Sequence, residues 1–330
     1  MRVAVLGCGA IGGLILGYLS RKDVDITGIV KRYQRESFSL EGLRIEGVRG
    51  SQVYEVRVDT RLKEKVDLAI VATKIDDIED VVVENNEFIK DATVLTTQNG
   101  VRADYILEKY FPPRRIITGI VMFGATFQPP NRIVHNFEGD FILGNIFGEE
   151  VKDLEKVREV LNKAFRTRVL ENIQGAKYLK VFVNLNNCIP AILGVSMQEA
   201  FGDLDISELA IRLNKEAYYV VEKSRIELQD LPGYPEERLR KLLSMETKQA
   251  ASIFSQIMTS LSKEPLYGSI LQSIKRGKKS EVDYINGEIV RLASHNNMEA
   301  SLNRKIVSLV HRVEASGKFL TRDELLKEVA

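Results

Sequence analysis

The segment KYLKVFVNLNNCIPAILG, residues 177–194, sets Lys180 and three asparagines among apolar neighbours in a helical pattern. On a helix, Lys180, Asn184, Asn187 and Ala191 fall at i, i+4, i+7 and i+11, hence on one face. Cys188 borders that face, whereas Asn186 points nearly the other way. A long cation, two amides and a small residue therefore share one stripe, flanked by Val181, Phe182, Val183 and Ile189. The arrangement is poor for stability, because asparagine is a mediocre helix former and every buried amide must find partners. It makes sense if the stripe lines a polar cleft; the competing reading is a hydrogen-bond network between domains. Pro190 has no N–H for the Asn186 carbonyl and is expected to kink the helix there.

A second chemical signature stands at the N-terminus. VAVLGCGAIGG supplies Gly7, Gly9 and Gly12, a G-x-G-x-x-G pattern completed by Cys8, Ala10 and Ile11, between a strand-like run and a helix-like one. Gly7 permits a tight turn, Gly9 lets backbone approach a pyrophosphate, and Gly12 lets helix and sheet pack closely. The helix N-terminus then faces the phosphate charge. The alternative is a glycine-rich turn with no ligand. After the second strand, where an acidic residue would hold a ribose diol, the chain reads GIVKRYQR. Lys31 and Arg32 suit a 2′-phosphate, which predicts NADP(H); the alternative is a solvated basic strand end. Lys74 in VATKIDD and Asn99 in TTQNGV follow two further apolar strands, at the edge where such sheets bind ligands. Lys74 contacts the 2′-phosphate or simply ends a strand. Asn99 serves a nicotinamide ribose or the substrate, or else only makes an Asn-Gly turn.

The elements that must position these groups divide into two rhythms. Strand-like runs at 2–7, 24–30, 68–73, 92–97, 116–127 and 140–146 alternate with helical stretches at 11–21 and 76–89. The first four are nearly continuously apolar, as strands covered on both faces are, so a parallel α/β sheet is expected. Strands around 43–59 and from 116 onward read as additions to that sheet, and QPPNR (128–132) as a loop or hairpin turn. From Gly175 the pattern is helical, with long helices expected at 206–228 and 235–261. The resulting division is 1–172, an α/β nucleotide domain, and 173–330, an all-α domain. The helices 206–228 and 301–316 carry apolar stripes that serve either a homodimer or the chain's own core.

Composition sets the outer limits. At 330 residues the chain is too long for one typical core. Its formal net charge of +1 gives no sign of a nucleic acid or membrane partner, and no apolar run approaches the ~20 residues of a membrane span. Cys8 and Cys188 form no metal-like spacing, and His135, His295 and His311 are scattered. A reducing, cytoplasmic location and no disulfide framework are expected. In YGSILQSIKRGKKSEVDYINGEIVRLA (267–293), Ser280 and Asp283 have capping-box spacing, which would put Glu281 in a first helical turn; KRGKKS reads as a solvated basic loop.

Taken together, LGCGAIGG, TKIDD, TTQNGV, KVFVNLNN and SILQSIKRGKKSEVDYINGEI resemble the ketopantoate reductase family over essentially the whole chain. The resemblance implies a Rossmann-type N-terminal domain plus an all-α C-terminal domain, with substrate held between them. It implies NADPH-dependent reduction of a 2-oxo acid to a 2-hydroxy acid. By motif, Lys180 matches the catalytic lysine, Glu281 the essential glutamate, and Asn184 and Asn187 lie on the substrate-binding stripe. Ser269 matches the substrate-binding serine and Asn99 the asparagine of the Gln-Asn-Gly turn. Lys74 and Arg32 match cofactor-phosphate positions. Glu281 is expected to hold substrate hydroxyls and to touch the cofactor side of the site. Three substrate-side positions depart from the best-known pattern: Cys188 and Ser273 replace polar partners, and Leu266 stands where an asparagine is expected. A more apolar 2-oxo acid than ketopantoate therefore stays open. So do an opine- or imine-type dehydrogenase and a catalytically silent NADP(H)-sensing protein.

Overall fold

The computed structural model describes all 330 residues, which divide into two compact units, Met1–Ile173 and Gln174–Ala330. In the first unit, β1 (Arg2–Leu6), β2 (Asp25–Ile29), β6 (Leu68–Val71), β7 (Thr93–Thr96) and β8 (Ile116–Val121) form the parallel body of a sheet. β5 (Val58–Asp59) extends it beside β2, and β11 (Phe141–Gly144) and β12 (Thr167–Val169) extend it beside β8. The order is β12-β11-β8-β7-β6-β1-β2-β5, and only the β8–β11 pair is antiparallel. The chain reverses direction across the sheet between β1 and β6, which are neighbours, so their carboxyl ends open a crevice. Every residue of β6, β7, β8 and β11 is buried, in keeping with strands covered on both faces.

One expectation needs correction. Residues 43–59 and 116–127 do not all add to this sheet. β3 (Leu43–Gly47), β4 (Gln52–Tyr54), β9 (Gly124–Gln128) and β10 (Arg132–Phe137) form a separate sheet of order β4-β3-β10-β9. The run 116–127 is therefore two strands in two sheets, broken at Met122 and Phe123. Phe123 leaves the sheet to stack on Phe165, with ring centroids 4.5 Å apart. Residues 128–132 do form the hairpin connection.

Helix α1 (Ala10–Ser20) serves both sheets. A Cβ at Gly17 would collide with the Ile45 side chain, and one at Gly13 with Ile133, so bare backbone lets the small sheet close on this helix. Tyr18, also on α1, bonds His135 of β10 at 2.8 Å. His135 is fully buried, and that burial lowers its pKa, keeping the ring neutral. Helices α2 (Arg32–Leu40), α3 (Ile78–Ile89), α4 (Arg102–Leu107) and α5 (Leu154–Asn162) complete the unit.

The second unit is all α. Its first helices are α6 (Ile173–Leu185), α7 (Cys188–Leu193), α8 (Met197–Gly202) and α9 (Leu204–Lys223). Then come α10 (Glu236–Ser244), α11 (Thr247–Ser260), α12 (Ser269–Lys275), α13 (Asn286–His295), α14 (Ser301–Ser316) and α15 (Arg322–Glu328). The helix expected over 235–261 is two, because Glu246 accepts from the amides of Lys248 and Gln249 and starts a new helix. The stripes of α9 (Leu209, Leu213, Ala217, Val220) and α14 (Ile306, Leu309, Val310, Val313) are buried inside the chain, so neither supplies a dimer surface. No helix is long and apolar enough to cross a membrane.

Candidate active site

In the first unit the nucleotide turn follows from three glycines with different constraints. Gly7 has φ +93°, which favours glycine, and a Cβ there would lie 2.7 Å from Thr73 Cγ2. At Gly12 a Cβ would fall on the Gly7 carbonyl oxygen and 2.9 Å from Ala72 Cβ, so the helix start can approach β1 and β6 only without a side chain. Beside Gly9 nothing lies within 4 Å, and that residue caps α1. The amides at this helix end, with open space beside Gly9, suit an anion. Cys8 is buried, and the site available for a Gly28 Cβ lies 2.7 Å from its Sγ. Its thiol therefore faces the core, where burial pushes its pKa up, and only its backbone faces the turn. The Thr73 hydroxyl, beside Gly7, is buried with no hydrogen-bond partner. An orphaned donor in the crevice is what a ribose or phosphate oxygen would satisfy.

Lys31 and Arg32 are exposed at the start of α2, immediately past β2. Arg32 is its first helical residue, so a phosphate held by the pair would also meet the positive end of the helix dipole. Lys74 is exposed and begins the 3-10 turn Ile75–Asp77. Asn99 is half-buried just past β7. Sequence reasoning missed Gln98, whose amide donates to the carbonyls of Val71 at 3.0 Å and Thr73 at 2.9 Å. It ties together the two strand ends from which Lys74 and Asn99 emerge. These residues fit a dinucleotide phosphate end.

In the second unit the polar stripe lies on α6 and the turn that follows. The helix breaks at Asn186 and Asn187, one turn before Pro190, where the Asn186 carbonyl instead accepts from Ile189 at 3.2 Å. The expected kink is thus a full interruption. Asn187 Nδ2 donates to Asn184 Oδ1 at 3.4 Å, keeping the two amides on one side. Asn186 faces away, its Oδ1 accepting from Asn214 of α9 at 2.9 Å. Cys188 is buried, bonded to the Leu185 carbonyl at 3.0 Å, and its pKa is pushed up to about 12, chiefly by burial.

Ser269 joins this group through Gly268. A Cβ at Gly268 would sit 3.1 Å from Asn187, so the exposed start of α12 lies directly against that asparagine. Gln272 donates to the Tyr267 carbonyl at 2.9 Å and fixes the approach to Ser269. The Leu266 backbone is held by Met197 and Gln198 of α8, at 2.9 Å each. Ser273 lies inside α12, its carbonyl accepting from Arg276 and Lys278.

Glu281 does not occupy a first helical turn. It precedes the 3-10 turn Val282–Tyr284, and the capping box expected of Ser280 and Asp283 is absent. The Ser280 hydroxyl accepts from the Val282 amide at 3.3 Å, while Asp283 turns to His311 of α14 at 2.9 Å.

Lys180 and Glu281 are close enough for the carboxylate to act on the amine. Burial pulls the Lys180 pKa down to about 7; the like charge of Lys177 lowers it further, and Glu281 raises it in part. Lys177 was not anticipated. It is 1% exposed, one helical turn before Lys180. Its only sequence signal is a lysine on the side of α6 shared with buried Val181.

An acid of pKa about 7 must be protonated to donate, so kcat/KM for a reduction should fall above about pH 7. Lys177→Met should move that limb to higher pH by removing the like charge. Glu281→Gln should move it to lower pH. Shifts of the same sign in the two variants would remove this electrostatic account.

A parallel sheet with a glycine turn at its switch point, and a separate helical unit carrying an amine of near-neutral pKa beside a carboxylate, define a nicotinamide-dependent reductase. Comparison with known proteins fixes which one. Residues 3–148 match the model of ketopantoate reductase PanE/ApbA, and residues 172–314 match its C-terminal model. The chain belongs to the ketopantoate reductase family.

Among relatives, the 2-dehydropantoate 2-reductase of Pyrococcus abyssi is 32% identical, over 96% of this chain and 98% of that protein. That of Pyrococcus horikoshii is 31% identical, over 96% and 99%. Among solved structures, D-mandelate dehydrogenase with NADH and anilino(oxo)acetate has a TM-score of 0.81 at 22% identity, covering 96% of this chain and 99% of that one. The 2-dehydropantoate 2-reductase of Geobacter metallireducens has a TM-score of 0.80 at 17% identity, covering 95% and 100%.

Proposed function

We infer that this chain catalyses NADPH-dependent reduction of 2-dehydropantoate to pantoate, with Lys180 as general acid. The observation that carries this reading is the Lys180 amine, which burial lowers to a pKa of about 7 while Glu281 opposes the shift. An amine so poised is protonated for part of the time at neutral pH and gives up its proton readily. When bound, the nicotinamide supplies the hydride. Lys180 hydrogen-bonds the ketone oxygen, stabilises the charge gathering there and delivers the proton. Asn184 and Asn187 orient the lysine and the substrate hydroxyls, and Ser269 receives the carboxylate. Glu281 accepts from the substrate hydroxyl and sustains the charge of Lys180. Gly7, Cys8, Gly9, Ala10, Ile11 and Gly12 present backbone to the pyrophosphate, and Asn99 serves the nicotinamide side. We place the protein in the cytoplasm, a compartment in keeping with two free buried thiols.

The test is NADPH oxidation with a panel of 2-oxo acids, with and without added amines. Turnover of 2-dehydropantoate that needs no amine supports the reading. Amine-dependent turnover would make this an imine-reducing enzyme, and cofactor binding without turnover a sensor. A second reading, a more apolar 2-oxo acid, is favoured by the inward-facing Cys188 thiol and by Leu266, whose backbone alone is engaged. Aryl and branched alkyl 2-oxo acids in the panel decide between them. Losing one hydrogen-bond partner for a substrate hydroxyl costs about 1–3 kcal/mol, roughly a five- to 150-fold preference.

Cofactor choice is tested separately. Replacing Lys31 and Arg32 together with alanine should raise the NADPH KM by about 100-fold or more and leave the NADH KM within about threefold, since two charge-assisted contacts are lost. Equal effects on both cofactors would remove the assignment.

A further inference from the structure

Glu281 stands on the short segment Ser280–Ile285, which contains one 3-10 turn. We propose that α14 is the element that positions Glu281: Glu314 and His311 clamp this segment on either side of the carboxylate and so set its distance from Lys180. The inference rests on the proposed role of Glu281, and neither α14 residue has been placed against substrate or cofactor.

The Ser280 amide, one residue before Glu281, donates to Glu314 Oε1 at 2.7 Å. Two residues after Glu281, Asp283 pairs with His311 Nε2 at 2.9 Å. Further on, Asn286 Nδ2 donates to Asn303 Oδ1 at 3.2 Å and to the Leu185 carbonyl at 3.1 Å. Asn303 lies eight residues before His311 and eleven before Glu314, spacings that share one helical face.

The ruler is anchored at both ends. Glu216 of α9 accepts from the amides of Leu302 and Asn303, at 2.9 and 2.8 Å, and from Asn303 Nδ2 at 2.8 Å. Leu185 closes α6, the helix that carries Lys180. Between the clamps, Val282 and Ile285 are fully buried, so the segment cannot rotate without breaking core contacts. Catalytic groups lose effect when displaced by about 0.5 Å, and a six-residue irregular segment cannot hold that tolerance unaided. The Glu314 contact is the stronger clamp. It is a short bond from a buried residue to a carboxylate, whereas the His311–Asp283 pair is about half exposed on both sides.

The test uses full-length Glu314→Ala, Glu314→Gln and Glu314→Asp. Two readouts are taken: steady-state kinetics with NADPH and 2-dehydropantoate, and the pH dependence of Lys180 acylation by acetic anhydride, followed by peptide mass spectrometry. Glu314→Ala should lower kcat/KM by about 10- to 100-fold and leave the NADPH Kd within about twofold. It should also shift the Lys180 midpoint downward, because Glu281, whose charge raises that amine's pKa, is displaced.

Glu314→Gln keeps an oxygen for the Ser280 amide and should restore both readouts. Glu314→Asp keeps charge and fold while withdrawing the acceptor by one methylene, so it should show the same signs if the alanine variant fails to fold. In a Glu281→Gln background, Glu314→Ala should add less than about a twofold further loss, as coupled residues do. The proposal is overturned if Glu314→Ala and Glu314→Asp lower only Tm, if the losses add fully in that background, or if glutamine does not rescue. Should Glu281→Gln itself turn over normally, the catalytic reading fails, and the Lys180 midpoint still decides whether α14 positions the carboxylate.

Discussion

Lys180→Ala is expected to lower kcat for 2-oxo acid reduction by about 10²- to 10⁴-fold, with NADPH affinity unchanged. That range combines a lost general acid with a lost stabiliser of the incipient alkoxide. Lys180→Arg separates the two contributions. A guanidinium stays charged, so it retains part of the electrostatic effect, but its pKa above about 12 leaves it unable to release a proton at neutral pH. The arginine variant should therefore recover only part of the rate and should lose the fall in kcat/KM above about pH 7 that the wild-type amine imposes. Stopped-flow single turnover separates chemistry from product release. A Lys180→Ala chemical step within about tenfold of wild type would show that the proton comes from elsewhere.

Gly12→Ala is the second large effect. The new methyl group would overlap the Gly7 carbonyl oxygen and crowd Ala72 Cβ at 2.9 Å. All of these belong to backbone or to a one-carbon side chain, so none can rotate aside. The helix start must move, and with it the amides proposed to hold the pyrophosphate. Overpacking of this kind costs about 1–3 kcal/mol of stability. The larger loss falls on the cofactor, whose Kd should rise by at least about 100-fold, measured by calorimetry with NADPH. Gly9→Ala is the contrast, because a Cβ there meets nothing within 4 Å of the protein. It should leave Tm nearly unchanged while still weakening NADPH binding by occupying space meant for phosphate. If Gly9→Ala bound NADPH normally, the turn would not be a pyrophosphate site.

How much of this was legible beforehand depended on the range of the interactions involved. β1, β2, β6 and β7 could be read because burial on both faces writes a continuous apolar run into local sequence. The glycine turn could be read because its constraints fall on neighbouring residues, and the Lys180–Asn184 stripe because it repeats within one helix. The small sheet could not. Its central pair, β3 with β10, joins segments far apart in the chain, and its strands are short and partly exposed. Residues 116–127 look like a single strand because nothing local marks Met122 as a corner. The corner comes from Phe165 and from the close approach of Gly139 to the Met122 backbone.

The site showed the same division. Lys180 stood out by type and spacing, whereas Glu281 was singled out only through the family resemblance. Lys177 did not stand out, since a lysine on a helix is ordinarily solvated and only tertiary packing makes this one buried. Gln98 and Glu314 act on backbone atoms of distant segments, and no periodicity encodes such a contact.

The two-sided use of α1 has a consequence for how the N-terminal unit melts. Its first turn faces the nucleotide crevice, while Gly13, Gly17 and Tyr18 seat the small sheet. Occupancy by dinucleotide should therefore slow amide exchange in β3 and β10, which pack on the other face of α1. A ligand at one end of a shared spine makes the opposite flank harder to open, so evolution could not retune the grip on phosphate without also resetting the resilience of that flank.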